Sequence, residues 1–226
     1  MVPIHVPIAL AVVIAYVAGS IPSAYLAGKW RGVDLRAHGS GNLGATNVVR
    51  VLGIRIGAMV FVVDTLKGFL PVFFLPQLTG STHPEIVSLA VGGAAILGHV
   101  RPVFLLGQKG GKGVATAGGV FLGVAWLPAI IAFAVWIVVF ATSRYVSVAS
   151  LSAALALPFA FFLTGSRLTD WYLVASAVVA LFVFFTHRAN IARLRRGEEH
   201  RFVRGAGADG ATPAPRTPPR HPTQAS

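Results

Sequence analysis

The sequence predicts an all-α protein that crosses a membrane several times, and three observations carry that prediction. Of its 226 residues, 55% are hydrophobic and only 12% are charged, whereas a soluble domain usually carries about twice that charged fraction. The mean hydropathy is +0.73. The apolar residues form long blocks instead of one-sided stripes, so their solvent is lipid, where helices satisfy every backbone polar group.

The net charge of +12 comes from basic residues in short segments between the apolar blocks. Such segments mark the cytoplasmic side of a membrane protein and contact anionic headgroups, so nucleic acid is not an expected partner. The sequence contains no cysteine, which excludes disulfides, thiolate metal sites and thioester catalysis by the protein. No carboxylate or histidine cluster in the polar segments has ligand spacing, and we expect neither a metal nor another cofactor.

The first two apolar blocks predict two membrane spans. Residues 3–26 form one continuous span, and the N-terminus is expected outside because positive charges follow this span and do not precede it. Residues 54–76 form the second span, which carries Asp64 and Lys67 on one helical face. An ionisable pair inside a membrane is costly, so it should face inward. The pair has two interpretations, a purely structural ion pair and a contact with substrate.

The third block, residues 86–106, returns the chain to the cytoplasm, and the next block, residues 114–141, poses the main question of topology. About 28 helical residues reach roughly 42 Å, which is too long for one upright crossing and short for two. Pro128 lies in the middle of this block and should break or kink a helix there.

The arginine-rich segment near the C-terminus decides the number of spans, because it should be cytoplasmic. With residues 145–163 and 171–185 as the last two spans, we predict two shortened helices with a turn near Trp126–Pro128. The result is seven transmembrane helices, an outside N-terminus and a cytoplasmic C-terminus. One long tilted helix and six spans is the alternative. Residues 1–204 form the membrane domain, and residues 205–226 are expected to be a disordered cytoplasmic tail.

Three polar segments lie at span ends that parity places in the cytoplasm, where they could meet at one site. The first, residues 36–50, is expected to be a loop. It is dense in Gly, Ser, Thr and Asn, with Arg50 one helical turn after Thr46 and Asn47. Their hydroxyl, amide and N–H groups make a hydrogen-bonding surface for a polyol or a phosphate. An ordinary polar turn is the alternative, although the about nine such residues exceed what a turn requires.

The second polar segment, residues 107–116, is dense in glycine and carries Lys109 and Lys112. Successive N–H groups can form an anion nest, and a helix beginning near Val114 would add its positive end. The segment is not an ATP-type phosphate loop, because Gly113 stands where that pattern requires Ser or Thr. A loop whose lysines only fix membrane orientation is the alternative. The glycine density favours a phosphate carried by a substrate.

The third polar segment, residues 187–199, places His187, Asn190 and Arg193 three residues apart, so that they can share a helical face. A basic stop-transfer anchor is the alternative. That anchor would explain Arg195, Arg196, Arg201 and Arg204. It does not explain His187 and Asn190, which can relay protons and donate hydrogen bonds.

Together these segments resemble the bacterial membrane-integral glycerol-3-phosphate acyltransferases that use acyl-phosphate as donor, the PlsY family. The matching stretches are Gly39–Arg50 with Gly53; Asp64 and Lys67–Gly68; Gly98, His99, Pro102, Phe104 and Lys109–Thr116; and His187–Leu194 with Gly197 and Glu199. They follow the family's order and cover nearly the whole chain except the tail. Gln108 stands where the family commonly has Phe.

The resemblance implies transfer of a fatty acyl group from acyl-phosphate to the 1-hydroxyl of glycerol 3-phosphate. The products would be 1-acyl-glycerol 3-phosphate (lysophosphatidic acid) and inorganic phosphate, in the first acylation step of phospholipid synthesis. Expected partners are glycerol 3-phosphate, fatty acyl-phosphate and membrane lipids. The expected location is the bacterial inner membrane, with the active site facing the cytoplasm.

The resemblance also implies functional residues, which are assigned to the matching positions of this sequence one by one. The catalytic set is Ser40, Asn42, Thr46, Asn47, Arg50, Lys112, His187 and Asn190. The residues expected to bind substrate phosphate are Gly41, Lys109, Gly110, Gly111, Gly113 and Thr116. No metal ligand is among them.

The implied donor is an activated mixed anhydride, so the protein needs mainly to hold two anions together and neutralise developing charge. Our hypothesis is that a substrate phosphate oxygen takes the hydroxyl proton while His187 positions a substrate; His187 as general base is the alternative. The His-x4-Asp pair of the common glycerolipid acyltransferases is absent. Two competing functions are a transporter, which would bury polar residues at the midplane, and a non-catalytic scaffold.

Overall fold

The computed structural model describes residues 5–165 and 170–202, and every regular element in that part of the chain is helical. In order, the α-helices are α1 (Ile8–Gly19), α2 (Ser23–Trp30), α3 (Ala45–Leu52), α4 (Ile54–Leu78), α5 (Pro84–Val100), α6 (Val114–Val124), α7 (Trp126–Ser143), α8 (Val146–Leu163), α9 (Asp170–Thr186) and α10 (Arg188–Arg195). A 3₁₀ turn covers Val103–Leu105. The expected tail at 205–226 lies outside the described residues.

The helices confirm a polytopic membrane protein. Among the described residues, five stretches are long and apolar enough to cross a bilayer, and a sixth is found if the bent pair of α9 and α10 counts as one span. Those five are Ile8–Trp30, Ile54–Leu78, Pro84–Leu105, Trp126–Ser143 and Val146–Leu163. The apolar α6 has 11 residues. Seven spans, and the sides of the two termini, stay predictions.

The first span differs from the continuous helix expected over residues 3–26, because it is broken between α1 and α2. Pro22 explains the break: proline removes a backbone donor and pushes the preceding residue out of helical geometry. The break frees the carbonyl of Ile21, which accepts a hydrogen bond from Lys67 Nζ at 2.9 Å. The interruption therefore serves as an attachment point for α4.

The expected division of residues 114–141 into two helices is confirmed. The break falls at Ala125, whose φ of −151° and ψ of 88° lie outside helical geometry. Pro128 follows in the first turn of α7, where a missing N–H leaves no helical bond unmade. The proline thus marks the beginning of the second helix.

Helix α4 is the centre of the fold and packs against α1, α3, α5 and α6. Helices α4 and α6 approach closely, since a Cβ on Gly68 would collide with the carbonyl of Thr116, and one on Gly119 with that of Thr65. Small residues permit such approach between membrane helices. Helices α7, α8 and α9 pack in sequence beside this group, and exposed apolar side chains such as Leu181 and Phe185 face the surrounding lipid.

The first polar segment was expected to be a loop over residues 36–50, but its second half is the helix α3. Val48 is fully buried, and Val51 and Leu52 pack beside it, so α3 has an apolar face despite its polar composition. Gly53 ends the helix with a φ of +89°. Thr46, Asn47 and Arg50 are therefore on a helix, which fixes their relative positions.

Candidate active site

Asn47 organises the loop that precedes α3. Its side chain is fully buried, and its Oδ1 accepts a hydrogen bond from the Ser40 N–H at 2.8 Å. Its Nδ2 donates to the carbonyls of Leu35 and His38, each at 3.1 Å. Because this amide is satisfied within the protein, the structure gives it a positioning role. Contact between Asn47 and a substrate stays a prediction.

Arg50 connects α3 to the chain that follows α10. Its guanidinium donates to the carbonyl of His200 at 3.4 Å and lies 6.0 Å from the ring centroid of Phe202. Burial lowers the pKa of Arg50, and the charge on Glu199 opposes that shift. A guanidinium stays protonated in proteins, so Arg50 brings a partly buried positive charge to this end of the molecule.

The glycines of the second polar segment are packed closely against the end of α5. Gly110 N–H donates to the carbonyl of Val100 at 3.0 Å, and Gly111 N–H donates to that of His99 at 3.3 Å. A Cβ on Gly111 would collide with the His99 ring, and one on Gly110 with the His99 carbonyl. These two N–H groups therefore do not form the expected anion nest. Phosphate binding by Gly110 and Gly111 stays a prediction that would require both bonds to open.

Helix α6 begins at Val114, as expected, and Gly113 precedes it with a φ of +85°. The N–H groups of a first helical turn have no helical acceptor and carry the positive end of the dipole. Thr116 lies in that turn, but its side chain is fully buried, and its hydroxyl has no hydrogen-bond partner within the described structure. Thr116 is thus placed in the contact between α4 and α6.

Lys112 joins the second and third polar segments. Its Nζ donates a hydrogen bond to Asn190 Oδ1, and its carbonyl accepts one from Thr186 Oγ1 at 3.2 Å. Asn190 Nδ2 donates to Glu199 Oε1 at 2.6 Å, and Arg193 Nε lies 2.8 Å from Glu199 Oε2. The structure therefore brings these two segments into direct contact, as the sequence predicted.

The charges of this cluster affect one another. Burial lowers the pKa of Lys112 to about 8, against the opposing effect of the Glu199 charge. Burial also raises the pKa of Glu199, but hydrogen bonds from Asn190 and Arg193 and the Arg193 charge outweigh it and hold that pKa below its usual value. The site thus has an excess of positive charge around one ionised carboxylate, which suits an anionic ligand.

His187 lies at the bend between α9 and α10 and is 3% exposed. Its Nδ1 donates to the carbonyl of Val183 at 2.8 Å, and because a carbonyl only accepts, the neutral ring carries its proton on Nδ1. Burial, followed by the charge on Lys112, lowers the pKa of His187 to about 4. His187 is therefore neutral at pH 7 and has an unprotonated Nε2.

The remaining predicted residues lie on the first two polar segments. Ser40, Gly41, Asn42 and Thr46 are half-buried at the start of α3, and Lys109 is exposed. Their contacts with substrate stay predictions.

Two residues of the cluster had no role in the sequence interpretation. Glu199 matched the family motif, yet a lone acid beside several arginines gave no sign that it would bind Asn190. Ser147, in the first turn of α8, gave no signal at all among apolar residues. Its hydroxyl is buried beside the Glu199 carboxylate but reaches full hydrogen-bond geometry with no described residue. Both were identifiable only from tertiary contacts.

Known proteins match almost the whole chain. A family model described as glycerol-3-phosphate acyltransferase matches residues 9–197. A glycerol-3-phosphate acyltransferase of Geotalea daltonii is 48% identical over 190 residues, which are 84% of this chain and 95% of that protein. The protein of the same name from Aquifex aeolicus is 44% identical over 191 residues, 84% of this chain and 97% of the relative.

Two crystal structures of PlsY, an integral membrane glycerol 3-phosphate acyltransferase, have the same fold. The glycerol 3-phosphate form has a TM-score of 0.78 and 41% identity, covering 87% of this chain and 96% of the other. The lysophosphatidic acid form has a TM-score of 0.76 and 40% identity, covering 87% and 95%. The similarity thus extends over the helices and all three polar segments.

Proposed function

Because the chain belongs to the glycerol-3-phosphate acyltransferase family, we propose that it transfers a fatty acyl group from acyl-phosphate to the 1-hydroxyl of glycerol 3-phosphate. The products are 1-acyl-glycerol 3-phosphate and inorganic phosphate, and the reaction is the first acylation of phospholipid synthesis. The related PlsY was crystallised in forms with glycerol 3-phosphate and with lysophosphatidic acid. These are the acceptor and the acylated product of the proposed reaction.

The observation that carries the proposal is the cluster of Arg50, Lys112 and Arg193 at one end of the bundle. Glu199 is the acid that faces this cluster, and its side chain is already held by Asn190 and Arg193. Among the described residues, Glu199 is the one carboxylate whose charge acts on Lys112, while Arg193 and Arg50 add positive charge. The net positive charge around Lys112 therefore favours an anionic ligand. Both proposed substrates carry phosphate, so two anionic groups bind near these positive charges during the proposed reaction.

The proposed reaction needs little from the protein beyond position and charge. The 1-hydroxyl oxygen attacks the acyl carbonyl carbon, the bond from that carbon to the phosphate oxygen breaks, and phosphate leaves with the bonding electrons. A substrate phosphate oxygen takes the hydroxyl proton. Lys112 and Arg50 stabilise the charge that develops on the carbonyl and leaving oxygens. Holding both substrates in line supplies most of the remaining acceleration.

His187 orients a substrate in this scheme. Its Nδ1 is held by Val183, so its Nε2 accepts a hydrogen bond from the hydroxyl of glycerol 3-phosphate that does not react, which leaves the proton of the 1-hydroxyl to the phosphate oxygen. A pKa of about 4 makes His187 a weak base, which favours the phosphate oxygen as the proton acceptor.

We place the protein in the bacterial inner membrane, with this end of the bundle facing the cytoplasm. The basic residues beside the cluster, such as Arg188, Arg195 and Arg196, support that side. A transporter would bury its polar residues near the midplane, whereas this cluster lies at helix ends. Such a location gives the site access to soluble glycerol 3-phosphate and to an acyl chain arriving from lipid.

The test is a two-substrate assay on purified protein in detergent. Glycerol 3-phosphate and palmitoyl phosphate are supplied, and phosphate and lysophosphatidic acid are quantified over time. The proposal expects the two products in equal amounts, and no turnover when palmitoyl-CoA replaces palmitoyl phosphate. Phosphate release without ester formation would contradict the proposed acceptor. Turnover with palmitoyl-CoA alone would contradict the proposed donor.

A further inference from the structure

A second polar cluster is buried beneath the lysine–glycine loop, which we define as residues 107–113. It consists of Ser23, Asp64, Lys67 and His99, and we call it the ion-pair cluster. Asp64 Oδ1 accepts a hydrogen bond from Ser23 Oγ at 2.6 Å and lies 2.8 Å from Lys67 Nζ. This cluster belongs to α2, α4 and α5 and contributes no residue to the reaction described above.

The charged pair is costly where it lies. Asp64 is 1% exposed and Lys67 is 6% exposed, within a helix that spans the membrane. Removing two ions from water costs several kcal/mol per ion even after relaxation, and apolar replacements are often at least as stable. Stability by itself is therefore a weak reason for the pair. What it does achieve is to hold α4 to the break between α1 and α2, through the bond from Lys67 to Ile21.

His99 connects the ion-pair cluster to the lysine–glycine loop. Its Nδ1 is buried 3.6 Å from Asp64 Oδ1 and has no other polar partner in the described part of the chain. The opposite side of the ring contacts the backbone at Gly111, where a Cβ would collide with Nε2. The His99 carbonyl also accepts the Gly111 N–H. One residue thus contacts the carboxylate on one side and the loop on the other.

The lysine–glycine loop connects the two clusters along the chain. Ser23, Lys67 and His99 line one small cavity together with Gly110 and Gly111. The next residue along the chain is Lys112, whose ammonium group donates a hydrogen bond to Asn190. The His99 ring and the His99 carbonyl therefore both contact the backbone one residue before Lys112.

Resting on the proposed function, we propose that the ion-pair cluster positions Lys112 through His99 and Gly111. Asp64 fixes the orientation of the His99 ring, and the ring and its carbonyl fix the loop. Neither Asp64 nor His99 touches a substrate, so both are positioning residues. A 1 Å misplacement of a catalytic group costs about 10²-fold in rate, which gives a buried ion pair a functional reason to persist.

The first test compares His99→Leu with His99→Asn. Leucine removes the donor facing Asp64, whereas the asparagine amide nitrogen occupies nearly the position of Nδ1. We expect His99→Leu to lose about tenfold or more in kcat/KM and His99→Asn to regain most of that loss. Equal activity of the two variants, at any level, would overturn the proposal. A role in packing alone gives asparagine no advantage over leucine, so only the lost donor explains a higher activity of His99→Asn.

The second test removes both charges, because Asp64→Asn alone would leave the buried Lys67 without its counter-ion and strongly destabilise the protein. Asp64→Leu combined with Lys67→Met leaves no unpaired charge. We expect a folded protein with a loss similar to that of His99→Leu, and no further loss when the changes are combined, since all act through one contact. Full activity of the Asp64/Lys67 variant, or losses that multiply with His99→Leu, would overturn the proposal.

A matched control and a readout independent of activity complete the design. Ser150→Ala removes another buried hydrogen bond, the one from Trp136 Nε1 at 3.2 Å, and should lower the Tm without changing kcat/KM. Competitive amine labelling with mass spectrometry then compares Lys112 with the exposed Lys29. We expect His99→Leu to change the labelling rate of Lys112 alone. Unchanged labelling would contradict the positioning role, whereas inactive wild-type protein would instead contradict the proposed function.

Discussion

Lys112 donates a hydrogen bond from its ammonium group to the amide oxygen of Asn190, which lies 78 residues further along the chain. The contact puts the loop before α6 and the start of α10 at the same end of the bundle. An even number of crossings must therefore separate them, which favours α6 and α7 as two crossings over one tilted span. Arg50, which bonds to the carbonyl of His200 and whose charge acts on Lys112, brings the first polar segment to the same group of cations.

The charge on Lys112 should be needed for turnover. Lys112→Met removes a preorganised cation from the site, and we expect kcat/KM to fall by about 10²–10³-fold, the effect of deleting one stabilising donor. Steady-state phosphate release measures this. Lys29→Met, which removes an exposed cation outside the site, should stay within about twofold of wild type. Equal losses in the two variants would assign the effect to general surface charge.

The pH dependence of kcat/KM should report the deprotonation of Lys112. Its pKa is lowered to about 8, so the cation is present below that pH and is lost as the pH rises through it. We expect kcat/KM, which reports the free enzyme, to fall with a midpoint near pH 8. In Lys112→Arg the guanidinium stays charged, and the falling limb should move to higher pH. A limb that stays in place would exclude Lys112 as its source.

His187 should tolerate an amide if it only orients a substrate. Glutamine retains a polar group near the position of Nε2, so we expect His187→Gln to keep kcat within about tenfold of wild type, whereas loss of a general base costs about 10²–10⁴-fold. Turnover and the KM for glycerol 3-phosphate are measured together. A fall in kcat in the larger range with unchanged KM would make His187 the base.

Asn47 should contribute mainly to stability. Asn47→Ala leaves two carbonyls and one N–H without their partner, but only the contact with Leu35 is fully buried. A buried polar group left unsatisfied costs about 1–3 kcal/mol. We expect a fall of several °C in Tm, at roughly 2–4 °C per kcal/mol for a protein of this size. Gln77→Ala, which removes an exposed amide bonded within its own helix, is the control. An unchanged Tm in Asn47→Ala would contradict the positioning role.

Local signals in the sequence were sufficient for much of the fold. The start of α6 at Val114 and the division near Pro128 were predicted because block length and proline act within one helical turn. The break at Pro22 was missed, although it has the same cause, because hydropathy continues across it. Helix α3 was missed because its polar residues obscured the apolar face formed by Val48 and its neighbours.

The site was predictable to the extent that it depends on charge and topology. That the segments carrying Lys112 and Asn190 share one side followed from counting spans and from the rule that basic segments lie on one side, whereas the contact between these two residues did not. The hydrogen bonds of Gly110 and Gly111 to α5, and the contacts of Glu199, did not follow. They depend on how the helices pack, and neither residue spacing nor composition predicts that packing.

Cysteine labelling tests most directly whether the three polar segments lie on one side of the membrane. The chain has no cysteine, so single cysteines at the exposed positions His38, Lys109 and Arg196 can each be labelled by a membrane-impermeant maleimide. Thr82→Cys, in the loop between α4 and α5, reports the opposite side. We predict labelling of the first three only in inverted vesicles, and of Thr82→Cys only in right-side-out vesicles. If any of the three were labelled from the same side as Thr82→Cys, the polar segments could not form one active site.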